Sequence, residues 1–146
     1  MSYDNPWTYN GDIFDEDGVG DSIGFVYMIT DLVNNKRYIG KKIFRNKVSK
    51  PPLKGKKKRR ISSVQSNWKE YYGSSPVLQI LVEQNEKHLY KREILYLCRS
   101  KSEMSYLETK LLFKYDALLN DGWYNDWITC KITRKQLSAI RTSQVR

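Results

Sequence analysis

Two tyrosines, a lysine pair and one oddly placed carboxylate are the residues of this sequence best suited to chemistry. Tyr27 and Tyr38 lie in the run GFVYMITDLVNNKRYIG, Gly24 to Gly40, and Lys41 and Lys42 follow it directly. Two phenols brought together on one sheet beside two ammonium groups read either as simple packing or as the reactive groups of a site. The residues alone leave both open. Glu108 sits among Met104, Leu107, Leu111, Leu112 and Tyr115, whose spacing of three and four marks the apolar stripe of a helix. A carboxylate at an inward position costs several kcal/mol without a partner. Glu108 therefore needs either a hard cation such as Mg2+, completed by waters and phosphate oxygens, or a buried ion pair with Lys41, Arg45 or a tyrosine hydroxyl.

The elements that must position these groups can be read from pattern. Phe25 to Thr30 and Arg37 to Gly40 flank Asn34-Asn35, and Asn tolerates the positive φ of tight turns, so the stretch reads as a β-hairpin. Alternation puts Phe25, Tyr27 and Ile29 on one face and Val26 and Met28 on the other. Ser62 or Ser63 is expected to cap a short helix that buries Val64, Trp68 and Tyr71 or Tyr72 and stops at Gly73. Ser75-Pro76 has the form of an N-cap followed by Pro at the first helical position. That helix runs to about Asn85, with Val77, Ile80, Leu81 and Gln84 giving its periodicity. Tyr90 to Cys98 reads as an interior strand, with Ile94, Tyr96 and Cys98 on one side and Leu95 and Leu97 on the other. Ser100 and Glu103 match a capping box at the start of the longest helix, which runs to Tyr115 or Leu118 with Glu103, Lys110 and Lys114 off its stripe. Trp123 to Ile132 is expected as an edge strand or extended segment, and Thr133 as the cap of a terminal basic helix from Arg134 to Thr142. The expected class is α/β (α+β): a small central antiparallel three-stranded sheet flanked by helices, with an irregular N-terminal arm.

The chain has 146 residues, enough for one domain with a real core, and is 40% hydrophobic and 13% aromatic. That composition excludes a wholly disordered chain. No run approaches the ~20 apolar residues of a membrane span, and no basic-then-apolar leader is visible, so a cytoplasmic protein is expected. Cys98 and Cys130 with a single His are too few for a zinc site and read as buried free thiols; a Cys98–His88 nucleophile pair has no motif behind it. The net charge is +10, and it is unevenly spread: residues 1–21 hold six acids and no base. From Lys36 to Arg60 there are thirteen Lys or Arg and no acid, a block that repels itself unless it faces a polyanion or open solvent. Following the candidate hairpin directly, it favours nucleic acid. The expected organisation is an acidic arm over 1–21, a main domain over 22–132 with a flexible basic loop inserted at 41–61, and a basic tail over 133–146. The arm is either a shield that DNA displaces or a merely soluble tail.

Tyr27 at the end of GFVY and Tyr38 at the start of YIG resemble the GIY-YIG nuclease signature, with Phe25-Val26 where that family usually has Gly-Ile. Glu108 and Asn125 follow in the order and rough spacing the family uses for its metal-binding glutamate and a late asparagine. The resemblance covers about residues 22–130 and is to small phage-encoded members, which places the protein in the cytoplasm of a host cell. It implies an endonuclease that hydrolyses phosphodiester bonds, with Glu108 holding Mg2+ (Mn2+ as a substitute). It further implies that Tyr27 accepts a proton from the attacking water, that Tyr38 orients water or phosphate, and that Lys41 supplies positive charge. Asn125 then braces the site.

One departure stands out. The family's arginine, about ten residues after the second tyrosine, falls here on Val48; aligned on Trp68, its slot becomes Asn67 and the later aromatic becomes Tyr71. Arg45, Arg59, Arg60 or Lys69 could stand in for it, and weak activity or a catalytically inactive nucleic-acid-binding module is the alternative. Lys42, Lys54, Lys56, Lys57, Lys58, Arg59, Arg60 and Lys69 are expected to bind double-stranded DNA with low to moderate sequence preference. A lone site cuts one strand, so cleavage of both would need a homodimer or two encounters.

Overall fold

The computed structural model describes residues 3–138. Its centre is the antiparallel pair β3 (Gly24–Asp31) and β4 (Lys36–Ile43), joined by a short loop in which Asn35 alone of the two asparagines has positive φ. The buried Asp31 carboxylate caps that loop by accepting from Val33 N, Asn34 N and Asn34 Nδ2. On its other side β3 pairs antiparallel with β7 (Tyr90–Cys98). Two strands of two residues, β1 (Thr8–Tyr9) and β2 (Asp12–Ile13), extend the sheet to five in the order β2-β1-β7-β3-β4. The sheet is thus larger than the three strands expected. The addition comes from the N-terminal arm, which is not irregular there: β1 pairs parallel with β7.

The two faces of β3 are filled as alternation requires. Phe25, Tyr27 and Ile29 join an aromatic core with Trp7, Phe14, Phe44, Trp68, Tyr72 and Tyr90. Val26 and Met28 face the second core, built with Ile39 and with Met104, Leu107, Leu111 and Leu112 of α2 (Lys101–Lys114). Trp7 is fully buried and donates its indole N–H to Trp68 O at 2.7 Å, so the acidic arm contributes to the core. Arg92 is buried beside it. Its guanidinium stacks 4.7 Å from the Trp7 ring and 4.2 Å from the Tyr72 ring and donates to Asp4 O, Asn5 O and Tyr71 O. A buried charge satisfied by several carbonyls ties the arm and residue 71 together.

The helices start where their caps predict. Ser75 Oγ accepts from Leu78 N at the head of α1 (Pro76–Gln84), and Ser100 Oγ accepts from Glu103 N while Glu103 Oε1 accepts from Arg99 N. Their faces depart from expectation in two places. In α1 the buried residues are Leu78 and Val82, and Val77 and Ile80 are exposed. In α2 Glu103 is buried, because reciprocal capping pulls its carboxylate back against the first turn. In β7 a bulge lies opposite the step from Val26 to Tyr27, so that Ile94 and Leu97 face the aromatic core and Leu95, Tyr96 and Cys98 the other. One extra residue breaks strict alternation.

The largest correction concerns residues 41–65. The basic loop is mostly ordered strand: β4 continues to Ile43, and β5 (Arg45–Lys50) pairs antiparallel with β6 (Arg60–Gln65) as a separate two-stranded ribbon. The helix expected from Ser62 is therefore a strand followed by a single 3-10 turn at Trp68–Glu70; Trp68 and Tyr72 are buried as expected, Val64 is exposed and Gly73 ends no helix. Trp123 bridges Arg37 in an otherwise extended C-terminal segment. The terminal helix appears as a 3-10 turn at Lys135–Leu137, and residues 139–142 of its expected span lie outside the described residues. Among the described residues no helix is long and apolar enough to cross a membrane.

Candidate active site

Gly40 lies directly across the sheet from Tyr27, and the Tyr27 hydroxyl reaches over it: a Cβ at residue 40 would sit 2.3 Å from that oxygen. Any side chain there would expel the phenol, which gives the last residue of YIG a physical reason. Tyr38, two positions earlier on β4, faces the same side with its ring centroid 6.3 Å from that of Tyr27. Its hydroxyl shares a 2.8 Å hydrogen bond with Ser74 Oγ. Tyr71 stands edge-on to Tyr27 at 6.0 Å.

The groove at this edge of β4 opens into a cavity of about 230 Å³. Tyr27, Tyr38, Ser74 and Pro76 line it from the aromatic side, Lys41 and Glu108 from the side of α2, and Asn125 to Thr129 close it along the strand edge. Residues far apart in the chain, Tyr27, Tyr38, Lys41, Glu108 and Asn125, thereby share one space. Lys41 Nζ donates to Ser105 Oγ at 2.7 Å and lies 4.0 Å from Glu108 Oε1. Asn125 is bound to the free edge of β4 through both ends of its amide: Ile39 N donates to Oδ1 at 3.0 Å, and Nδ2 donates to Ile39 O at 2.8 Å. This pair of hydrogen bonds satisfies edge groups which would otherwise need water. It also anchors the segment that carries Asp126 and the largely exposed Trp127 to the rim.

Burial governs the protonation of this site. Desolvation pushes the Tyr27 phenol well above the ordinary tyrosine value, and Tyr71, Tyr38 and the Glu108 carboxylate push it the same way. Tyr38 is also raised by burial, against the lowering effect of its bond with Ser74. Glu108 is raised by burial and held back by Lys41. Its carboxylate accepts no hydrogen bond among the described residues, so a half-buried acceptor faces the cavity with one ammonium at the edge of ion-pair range. The donor set suits a hard cation held by one carboxylate, with water and phosphate oxygens as its other ligands. No cluster of three or more His, Cys, Asp or Glu able to hold a metal occurs among the described residues.

The other expected site residues lie elsewhere. Arg45 spans the ribbon, donating to Ser63 Oγ and Ser63 O, and Arg59 and Arg60 donate to Ser49 and Pro51 O near its far end. Lys69 pairs with Glu16 of the acidic arm. None of the four lines the cavity, so none takes the arginine's place there. Lys42 stands 4.2 Å over the Tyr71 ring, and burial lowers its pKa. Lys54, Lys56, Lys57 and Lys58 are exposed in the turn of the ribbon. Cys98 is buried and Cys130 is exposed against expectation, and neither is in a disulfide among the described residues; exposed His88 Nδ1 lies 3.4 Å from Glu86 Oε2. Pattern missed Ser74, Asp126 and Trp127. Asp126 and Trp127 adjoin Asn125 in sequence, which was the one available signal.

The fold is mixed α/β, and paired phenols, the Lys41 ammonium and the Glu108 carboxylate surround one cavity whose rim also carries Asp126. The family model described as "Putative endonuclease segE, GIY-YIG domain" matches residues 7–128. The chain belongs to that GIY-YIG family, a family of endonucleases generally dependent on divalent metal, whose substrate is DNA. No curated protein and no solved structure matches it.

Proposed function

We propose that the protein hydrolyses phosphodiester bonds of double-stranded DNA, with a divalent cation held by Glu108 and with low to moderate sequence specificity. The observation that carries this reading is the convergence of Tyr27, Tyr38, Lys41 and Glu108 on one cavity of about 230 Å³. Mg2+ is the expected ion, with Mn2+ as a substitute; bound there, it supplies charge neutralisation at the phosphate and a more acidic water. Tyr27, as phenolate, takes the proton of the attacking water at its phenolic oxygen and becomes the neutral phenol. Tyr38, held by Ser74, orients water or a phosphate oxygen. Lys41, fixed by Ser105, offsets the charge that develops on the phosphate. Asn125 holds β4 in place and Tyr71 packs against the base. Lys54, Lys56, Lys57 and Lys58 neutralise flanking phosphates without reading sequence. One cavity cuts one strand, so breakage of both takes a homodimer or two encounters.

Supercoiled plasmid is the test. The protein should nick it in Mg2+ and leave it intact in EDTA, and Glu108→Ala should lose about a thousandfold in nicking, the upper range for such groups, while still shifting DNA in a gel. Persistent cleavage by pure Glu108→Ala rejects Glu108 as the ligand. A second reading, a binding module that retains the fold with little catalysis, is favoured by two features. No arginine of the described residues lines the cavity, and burial makes the Tyr27 phenolate scarce. DNA binding with no nicking in either Mg2+ or Mn2+ would establish it.

A further inference from the structure

The β5–β6 ribbon has no core of its own. Its six paired residues per strand leave both faces largely in solvent, and Ile61 and Val64 are 73% and 42% exposed. An isolated two-stranded ribbon is marginal in water, and this one is held by arginines used as internal braces: Arg45 to Ser63 at the root, Arg59 to Ser49 and Arg60 to Pro51 near the tip. From Arg45 to Gln65 it carries nine cations and no acid. At about 3.3 Å per residue its strands are roughly 20 Å long. Its root, Arg45, lies only four residues beyond Lys41 of β4, the strand that edges the cavity.

The tip is not merely charged. Pro51-Pro52-Leu53 leads into a turn closed by Lys56 N donating to Leu53 O at 2.9 Å, with Gly55 at φ +82. The turn fixes Leu53 at the corner, where it is 54% exposed, and lysines flank it at 50, 54, 56, 57 and 58. An exposed apolar corner with cations before and after it in the chain suits a groove bounded by phosphate strands. Prolines and leucines of this kind act as wedges between base pairs when an arm enters the minor groove, and they kink the duplex there.

We propose that the β5–β6 ribbon enters the minor groove of duplex DNA and that Pro52 and Leu53 wedge between base pairs, bending the duplex next to the cavity. The proposal rests on the DNA-binding reading above but not on catalysis. The lysines supply affinity; the apolar tip supplies the bend.

The test uses the full chain in EDTA, so that no cleavage intervenes, and a 30-base-pair duplex with a fluorescence-transfer pair at its ends. Binding should raise transfer efficiency and make a thymine at the wedge hyper-reactive to permanganate. Leu53→Ser should abolish that reactivity, lose most of the bend and weaken binding roughly three- to tenfold, with the slope of affinity against salt unchanged; Leu53→Met should retain the bend. Binding by the native chain without any bend overturns the proposal, as does an unchanged bend in Leu53→Ser. The two readings fail separately: a chain that bends DNA but never nicks plasmid in Mg2+ keeps the wedge and loses the nuclease, and a chain that nicks without bending does the reverse.

Discussion

The cavity, at the edge of β4, and the ribbon, whose first strand is separated from β4 by Phe44 alone, treat charge in opposite ways. At the cavity, Lys41 and Glu108 are partly buried; Lys41 is held by Ser105 from a distant part of the chain, and Glu108 has that ammonium 4.0 Å away. Burial there shifts Tyr27, Tyr38 and Glu108 away from their ordinary pKa values. In the ribbon nine cations stand in solvent, where charges interact weakly and are screened by salt. The same elementary charge thus tunes chemistry where water is excluded and sets affinity where it is not. A change in the cavity should be felt in the rate at saturating DNA, and a change in the ribbon in binding.

The sharpest way to break that division is Tyr27→Phe, which removes the proposed base without emptying the core. Single-turnover cleavage should fall by about a thousandfold, within the range expected of a general base, with binding unchanged. The native enzyme should show the companion signature. Because burial raises the Tyr27 pKa, the phenolate fraction stays small and grows tenfold per pH unit, so log rate should climb with slope near one from pH 6 to 9 and reach no plateau. A flat profile with chemistry rate-limiting removes Tyr27 from the role.

Gly40→Ala comes next. Its Cβ would meet the Tyr27 hydroxyl at 2.3 Å, so the phenol must move. Cleavage should fall about a hundredfold and stability by about 1–3 kcal/mol, as in other overpacked cores, measured by nicking and by thermal melting.

On the ribbon side, changing Lys54, Lys56, Lys57 and Lys58 together to Gln should lower the slope of log affinity against log salt by about 3–4, near 0.9 per phosphate contact. The rate at saturating DNA should not move; if it does, the two regions are coupled through the DNA. The smallest effect is expected at Asn125, on the cavity's strand-edge wall. Asn125→Ala removes both bonds to the edge of β4 and should cost about 1–3 kcal/mol in denaturant unfolding, with roughly tenfold slower cleavage from a looser strand.

Much of the frame was legible before any coordinates. Phe25, Tyr27 and Ile29 alternate with Val26 and Met28 because a strand has period two, and Ser75-Pro76 and Ser100-Glu103 announce helix starts through their own hydrogen bonds. The buried face of α1 was not legible. Val77, Leu78, Ile80, Leu81 and Val82 surround a nine-residue helix, and only the neighbouring sheet selects Leu78 and Val82. The bulge in β7 defeated alternation in the same way, since nothing local distinguishes Leu95 from its neighbours. Charge and prolines give the basic stretch the local pattern of a loop. Its cross-strand register and arginine braces, which make it a ribbon, depend on two segments meeting.

By itself the sequence determined the kinds of group at hand: two phenols, a lysine after the second, an acid within an apolar stripe, and a block of cations without acids. Those follow from short-range periodicity and composition. Tertiary structure alone decided that the acid and phenols share one cavity, that Gly40 must be bare, and that Arg45, Arg59, Arg60 and Lys69 serve elsewhere. The reason is physical: shared burial and close approach belong to pairs of residues distant in the chain, and no local pattern encodes a pair.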